Sequence, residues 1–338
     1  MGADVRWHHG ETLAAGQVAE FKVWAELVRQ SMGGLHVFLP LRDRGIDGVV
    51  HRLADGAYLA LQVKGRTELT PAGQVHVVVT ASSVLDDNAL MVVTLVDGDQ
   101  LGQMVLVVDE ATFRQLAAHD LVEGREYLTA AFEMHSDGAS RWAPFLVPRD
   151  RLAERLGVEA LSDESEEQAT DDPVATDRGY EGFLGEMEVV RRLADAKSLN
   201  LFRPFPDLET VEVLARHTGS RRYLGLQVKT SGWSSGRVEN RVHIRRSSFR
   251  PAESTFLCIL SWDRERSEFA GDCLLMPSSD VAGLARVEGA WLVLELEPGA
   301  TRHRHLDAYR APLASLGSIV ESMLASQVFR RAIDGDRP

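Results

Sequence analysis

Apolar and polar residues alternate with period two across Leu61-Gln62-Val63-Lys64, and the same four letters recur at Leu226-Gln227-Val228-Lys229. That period is the signature of a half-buried strand. It predicts Gln62 and Lys64 on one face and Leu61 and Val63 on the other. Upstream, Leu13, Val18, Phe21, Trp24, Ala25 and Val28 recur at three- and four-residue steps and predict a helix over Glu11 to Ser31, stopped by Gly33-Gly34. His36 to Leu39 reads as a short strand. Asp47 opens another through Leu53, Asp55-Gly56 is a hairpin turn, and Tyr58 to Lys64 is the return strand. Val75 to Thr80 alternates again. Leu90 to Val96 and Met104 to Val108 are nearly continuous apolar runs, as strands covered on both faces are. Ala111 to Ala118 and Pro148 to Leu156 read as helices.

The second half follows the same order. Phe183, Leu184, Met187, Val190, Leu193 and Ala194 mark an amphipathic helix. Leu201-Phe202-Arg203 parallels Val37-Phe38-Leu39. Asp207 is expected to open the strand through Val213, and Tyr223 to Lys229 to return it. Ser231 to Gly236 reads as a loop. Phe256 to Asp263 and Gly271 to Met276 match the two apolar runs of the first half. Agreement over about a hundred residues reads as an internal duplication of one α/β domain. Residues 1–156 are expected to form the first domain, 157–177 an acidic flexible linker, and 178–338 the second domain.

Composition changes this picture in one respect. The net charge of −13 is unevenly spread. Residues 1–156 carry 14 Lys/Arg against 21 Asp/Glu, 157–177 none against 8, and 178–338 carry 23 against 21. The second half is therefore mildly basic, and a local groove rather than the total charge sets the field a polyanion meets. Two cysteines, Cys258 and Cys273, exclude a disulfide scaffold and a cysteine-rich zinc site. The absence of a signal-peptide core and of a membrane-length apolar run points to a cytoplasmic protein.

A helix with a glutamate, a strand with an aspartate, a turn, and a strand ending in Gln-Val-Lys together resemble the PD-(D/E)xK nuclease superfamily. The Gln-x-Lys form is similar to its Mrr-like and Holliday-junction-resolvase-like branches. The resemblance implies two tandem restriction-endonuclease-like α/β domains, each with an αβββαβ core and a central mixed sheet. It places the motif aspartate on Asp47 and Asp207, the acid-or-Gln position on Gln62 and Gln227, the lysine on Lys64 and Lys229, and the helical glutamate on Glu20 and Glu186. It implies Mg²⁺ or Mn²⁺ held by Asp47 and Gln62, and by Asp207 and Gln227. Both halves carry Gln where many active members carry a carboxylate, a weaker ligand for a hard cation.

The chemistry suits these residue types. Hard oxygens hold Mg²⁺, which lowers the pKa of a bound water, and an ammonium stabilises charge developing on phosphorus. For Glu20 and Glu186 the alternative is a helix-edge glutamate paired to an arginine. Arg237, Arg241, Arg245, Arg246 and Arg250 crowd one stretch, either as a solvated basic face or as phosphate contacts beside the active edge. The resulting expectation is a Mg²⁺-dependent nuclease on DNA rather than RNA, in restriction, phage defence or repair, with the two domains acting as an intramolecular pseudo-dimer. The alternative is a nuclease-fold module, weak or inactive in catalysis, that binds nucleic acid or a protein partner within a larger complex.

Overall fold

The computed structural model describes residues 9–42, 45–84, 86–97, 100–135, 140–158, 178–205, 211–233, 241–296 and 304–326. The chain divides into two compact units, Met1–Ser165 and Glu166–Pro338.

The first unit begins with α1 (His9–Ser31), which ends where Met32 and Gly33 turn left-handed at φ 47° and 86°. Strands β1 (Leu35–Pro40), β2 (Gly48–Arg52) and β3 (Tyr58–Arg66) form an antiparallel meander. Then follow β4 (Val75–Thr80), β5 (Ala89–Asp97), β6 (Gln100–Asp109), α2 (Glu110–Leu116), β7 (Ala118–Val122), β8 (Arg125–Phe132), β9 (Leu146–Pro148) and α3 (Leu152–Arg155). The main sheet runs β1-β2-β3-β5-β6-β9, with β3 and β5 parallel and the other pairs antiparallel. A smaller antiparallel sheet runs β4-β8-β7.

The main sheet is covered on both faces. Val23, Trp24 and Leu27 of α1 pack with Val50, Leu61, Val63 and Val92. On the other face Met91, Val93, Leu106 and Val108 pack with Val75, Val77, Leu128, Phe132 and Phe113. Gln62 and Lys64 register with Met91 and Val93, so they share this second face.

The second unit repeats this order: α4 (Arg178–Ala194), β10 (Leu199–Phe205), β11 (Val213–His217), β12 (Tyr223–Trp233), β13 (Arg241–Arg245), β14 (Thr255–Asp263), β15 (Glu268–Pro277), α5 (Ser278–Leu284), β16 (Arg286–Glu288), β17 (Trp291–Glu295), α6 (Arg304–Asp307), β18 (Arg310–Pro312) and α7 (Leu316–Ala325). Its main sheet runs β10-β11-β12-β14-β15-β18, its smaller sheet β13-β17-β16. The parallel pair is β12 with β14, at the place of β3 with β5. Val189 and Leu193 of α4 pack with Val213, Leu226 and Val228, while Leu257 and Ile259 pack on the opposite face with Val242 and Ile244.

The mixed α/β sheet expected from sequence is present in each unit, with local departures. The αβββαβ pattern calls for a helix between the two parallel strands. The described connection in the first unit instead carries β4 and a single 3₁₀ turn at Ala81–Ser83, because Val75, Val77 and Val79 bury on alternate positions. Pro148 ends β9, and the helix expected from it begins only at Leu152, after a 3₁₀ turn at Arg149–Arg151. Ser231 to Trp233 continue β12 where a loop was expected, and 234–240 lie outside the described residues. The strand expected from Asp207 through Val213 starts at Val213, and Asp207 lies outside the described residues. Of the expected linker, Gly157 and Val158 belong to the first unit: Val158 is buried and its N–H bonds Ala153 O at 3.0 Å. The remainder, 159–177, lies outside the described residues. Among the described residues no helix is long and apolar enough to cross a membrane.

Candidate active site

The site of the first unit forms where β2 and β3 part. The last ladder bond runs from Asp47 N–H to Leu61 O at 2.9 Å. One step further, the N–H of Val63 is met by the Asp47 side chain, whose Oδ2 accepts it at 2.7 Å. A carboxylate thus replaces a backbone partner, which satisfies the donor and fixes the acid. The same oxygen receives Lys64 Nζ at 3.5 Å, and the two side chains remain 12% and 25% exposed, at the edge of solvent. Gln62 lies between them in sequence and on the same face as Lys64. It is 2% exposed, and its Oε1 is buried with no hydrogen-bond partner among the described residues. A buried unmet acceptor costs about 1–3 kcal/mol, so it marks either strain or a missing partner.

Two residues beyond Lys64, on the same face, Arg66 donates from Nε to His76 O and from Nη1 to Gly65 O, both at 2.7 Å. Burial pulls its pKa down from the ordinary guanidinium value.

The second unit builds the same geometry from a residue outside the expected motif. Glu212, not Asp207, stands in the register position of Asp47. Its N–H bonds Leu226 O at 3.0 Å, its Oε2 accepts Val228 N–H at 2.7 Å, and its Oε1 accepts Lys229 Nζ at 3.1 Å. The sequence signal was the spacing: 16 residues separate Asp47 from Val63, and Glu212 from Val228. Burial pushes the Glu212 carboxyl up, against the Lys229 ammonium and the Val228 N–H, which pull it down. Gln227 is 4% exposed and has a partner.

The structure therefore brings Asp47, Gln62 and Lys64 together, and Gln227 and Lys229 with Glu212. The helical glutamates are placed differently. Glu20 is half-buried on α1, the helix that covers the Leu61/Val63 face. Glu186 pairs with Arg203 of β10 at 3.2 Å, the helix-edge ion pair that was its structural alternative. Of the arginine-rich stretch, Arg237 lies outside the described residues, and Arg241 to Arg245 form β13. Val242 and Ile244 are buried, so Arg241 and Arg245 alternate onto the other side. Arg241 pairs with Glu295 at 3.1 Å, and Arg245 Cζ lies 5.6 Å from the centre of the Trp291 ring. Arg246 and Arg250 donate to Gly289 O at 3.3 Å and Ser247 O at 2.7 Å.

Among the described residues no group of three or more His, Cys, Asp or Glu gathers as a metal cluster. The donors each site presents are one carboxylate and one amide oxygen. Both are hard oxygens of the kind Mg²⁺ and Mn²⁺ take, and the orphaned Gln62 Oε1 is the atom a cation would satisfy.

No family model matches the chain, and no curated protein matches it. Among solved structures it is similar to a bacterial homing endonuclease, I-Ssp6803I, at 16% identity and a TM-score of 0.33, over 45% of this chain and 98% of that one. It is also similar to Hjc, a Holliday junction resolvase of Archaeoglobus fulgidus, at 12% identity and a TM-score of 0.25, over 40% of this chain and 95% of that one.

Proposed function

We propose that this chain is a nuclease that hydrolyses DNA with the help of Mg²⁺ or Mn²⁺. The observation that carries the reading is the Asp47–Gln62–Lys64 set: a fixed carboxylate, an orphaned buried oxygen beside it and an ammonium at the solvent edge. Asp47 and Gln62 would hold the cation. When bound, it supplies a water of lowered pKa and neutralises charge on the phosphate. The chain's own contributions are positional and electrostatic. Val63 N–H fixes the Asp47 carboxylate, Asp47 Oδ2 holds the Lys64 ammonium in place, and that ammonium faces the charge that grows on the non-bridging oxygens. A setting in restriction, phage defence or repair accords with the motif.

The second reading, a nuclease-fold module that binds without cutting, is favoured by the lack of a multi-acid cluster among the described residues. Circular duplex DNA incubated with Mg²⁺ or Mn²⁺ separates the two. The nuclease reading expects scission that EDTA stops and that Lys64→Ala lowers at least about 100-fold. Intact circles under every metal condition, with DNA still bound, would leave the binding module.

A further inference from the structure

At matching register the two sites are differently equipped. Both acids are bonded to their strand: Asp47 Oδ2 accepts Val63 N–H and Lys64 Nζ, and Glu212 accepts Val228 N–H on Oε2 and Lys229 Nζ on Oε1. Gln62 Oε1 is orphaned and buried, whereas Gln227 has a partner. The second difference lies two residues beyond each lysine. The first unit has Arg66, which bonds the backbone carbonyls of His76 and Gly65 and makes no ion pair among the described residues. The second has Ser231, buried in β12. A half-buried guanidinium whose bonds go to carbonyls and not to a carboxylate keeps its charge open to an anion at the solvent edge. On the face it shares with Lys64, the anion that fits is a phosphate.

From these differences we propose that the first unit alone holds the cation and cuts, with Arg66 as a phosphate contact, so that the chain nicks one strand instead of working as an intramolecular pseudo-dimer. This rests on the nuclease reading. The step is hydrolysis. A water oxygen bonds to phosphorus and one bridging P–O bond breaks. The electron pair leaves on the sugar oxygen, which takes a proton, and the products are one phosphate monoester and one hydroxyl end. Lys64 and Arg66 supply two positive charges along one strand face to the phosphate. At the second site Ser231 replaces the arginine, and of that pair only Lys229 is present, bonded to Glu212 as Lys64 is to Asp47.

Mn²⁺ titration of the full chain tests the assignment without relying on turnover. The expected stoichiometry is one Mn²⁺ per chain, with affinity at least tenfold weaker in Asp47→Asn and in Gln62→Ala, and nicked circles formed before any linear DNA. Two Mn²⁺ per chain, one Mn²⁺ that survives Asp47→Asn, or linear DNA as the first product would overturn the inference and leave the nuclease reading standing. No Mn²⁺ bound together with no scission would remove both. Asp47→Asn preserves an oxygen for Val63 N–H, and circular dichroism checks that it folds. For Arg66, duplex binding in EDTA is measured against salt. Arg66→Gln is expected to lower the slope of log affinity on log salt by about one. A changed melting temperature with an unchanged slope would make Arg66 structural and overturn its place on the phosphate.

Discussion

Beneath the two sites the same backbone is supported by exchanged volumes. In the first unit Gly48 opens β2, and a Cβ there would come within 2.6 Å of the buried Trp24 ring. At the register position of Gly48, opposite Leu226 as Gly48 is opposite Leu61, the second unit has buried Val213. At the position of Trp24, four residues past the helical glutamate, stands the smaller Val190, packed on the same core. A second exchange follows the lysine. Buried Ala19 precedes Glu20, and Gly65 follows Lys64. In the second unit Gly185 precedes Glu186 and Thr230 follows Lys229, and a Cβ on Gly185 would collide with Thr230 Oγ1. Large and small residues trade places between helix and strand. Close packing allows that as long as the summed volume is kept. The acid's ladder bond survives in both units, at 2.9 and 3.0 Å, so the site can change its side chains over a constant frame.

The largest expected effect breaks the comparison at its chemistry. Lys64→Ala should reduce nicking by at least two orders of magnitude, read as initial rate on circular duplex with Mn²⁺. Next comes the frame. Gly48→Val forces a side chain into the Trp24 ring and should cost about 3 kcal/mol by denaturant unfolding. Adding Trp24→Val copies the pair found in the second unit and should show a favourable coupling of at least about 1 kcal/mol in a double-mutant cycle. Simple additivity would mean the exchange of volumes is incidental.

A comparable contrast separates the two meanders. His36, His51 and Tyr58 register across β1, β2 and β3, where the second unit has Asn200, Arg216 and Tyr223. His51 stacks on Tyr58 at 4.2 Å with both ring nitrogens buried and without a hydrogen-bond partner among the described residues, whereas Arg216 Nε donates to Tyr223 OH at 3.0 Å. Burial pulls His36 and His51 down to about 4. The unfolded chain takes up these protons near pH 6.5 and the folded unit does not. Stability is therefore full above pH 6.5 and falls as the pH drops from 6.5 toward 4, by about 3 kcal/mol per histidine at the lower end. His51→Phe should flatten the loss by about half, measured by urea unfolding at pH 7 and pH 5. The smallest effect expected is at the amide. Gln62→Glu should tighten Mn²⁺ about tenfold and make thermal stability depend on added metal, because a buried carboxylate needs the cation.

Much of the frame was legible in the sequence because burial there follows a period. Leu61 and Val63 against Gln62 and Lys64, and the continuous runs in β5 and β6, give strand and face directly. Two strands, β7 of the smaller sheet and β9 of the main sheet, were harder to see. Every residue of β7 is exposed, so it carries no alternation, and β9 is three residues long. At the site, the Gln-x-Lys pairs were found as letters, but Glu212 was not. Asp207, which follows Pro206, matches the motif's aspartate by letter. What fixes the acid is its distance along the hairpin from the N–H it must meet, and a glutamate meets that N–H with one oxygen and the lysine with the other, where Asp47 meets both with one. Arg66 was legible as one of the basic residues clustered near the motif, Arg42, Arg44, Lys64 and Arg66, but that it bonds carbonyls rather than an acid is shown only by the folded chain.

The most direct test of the account is a crystal grown with Mn²⁺ and examined for anomalous density. The account predicts one strong peak about 2.1 Å from both an Asp47 carboxylate oxygen and Gln62 Oε1, with no peak at Glu212. Density at Glu212, or a Gln62 amide turned to another partner with no metal beside Asp47, would contradict it.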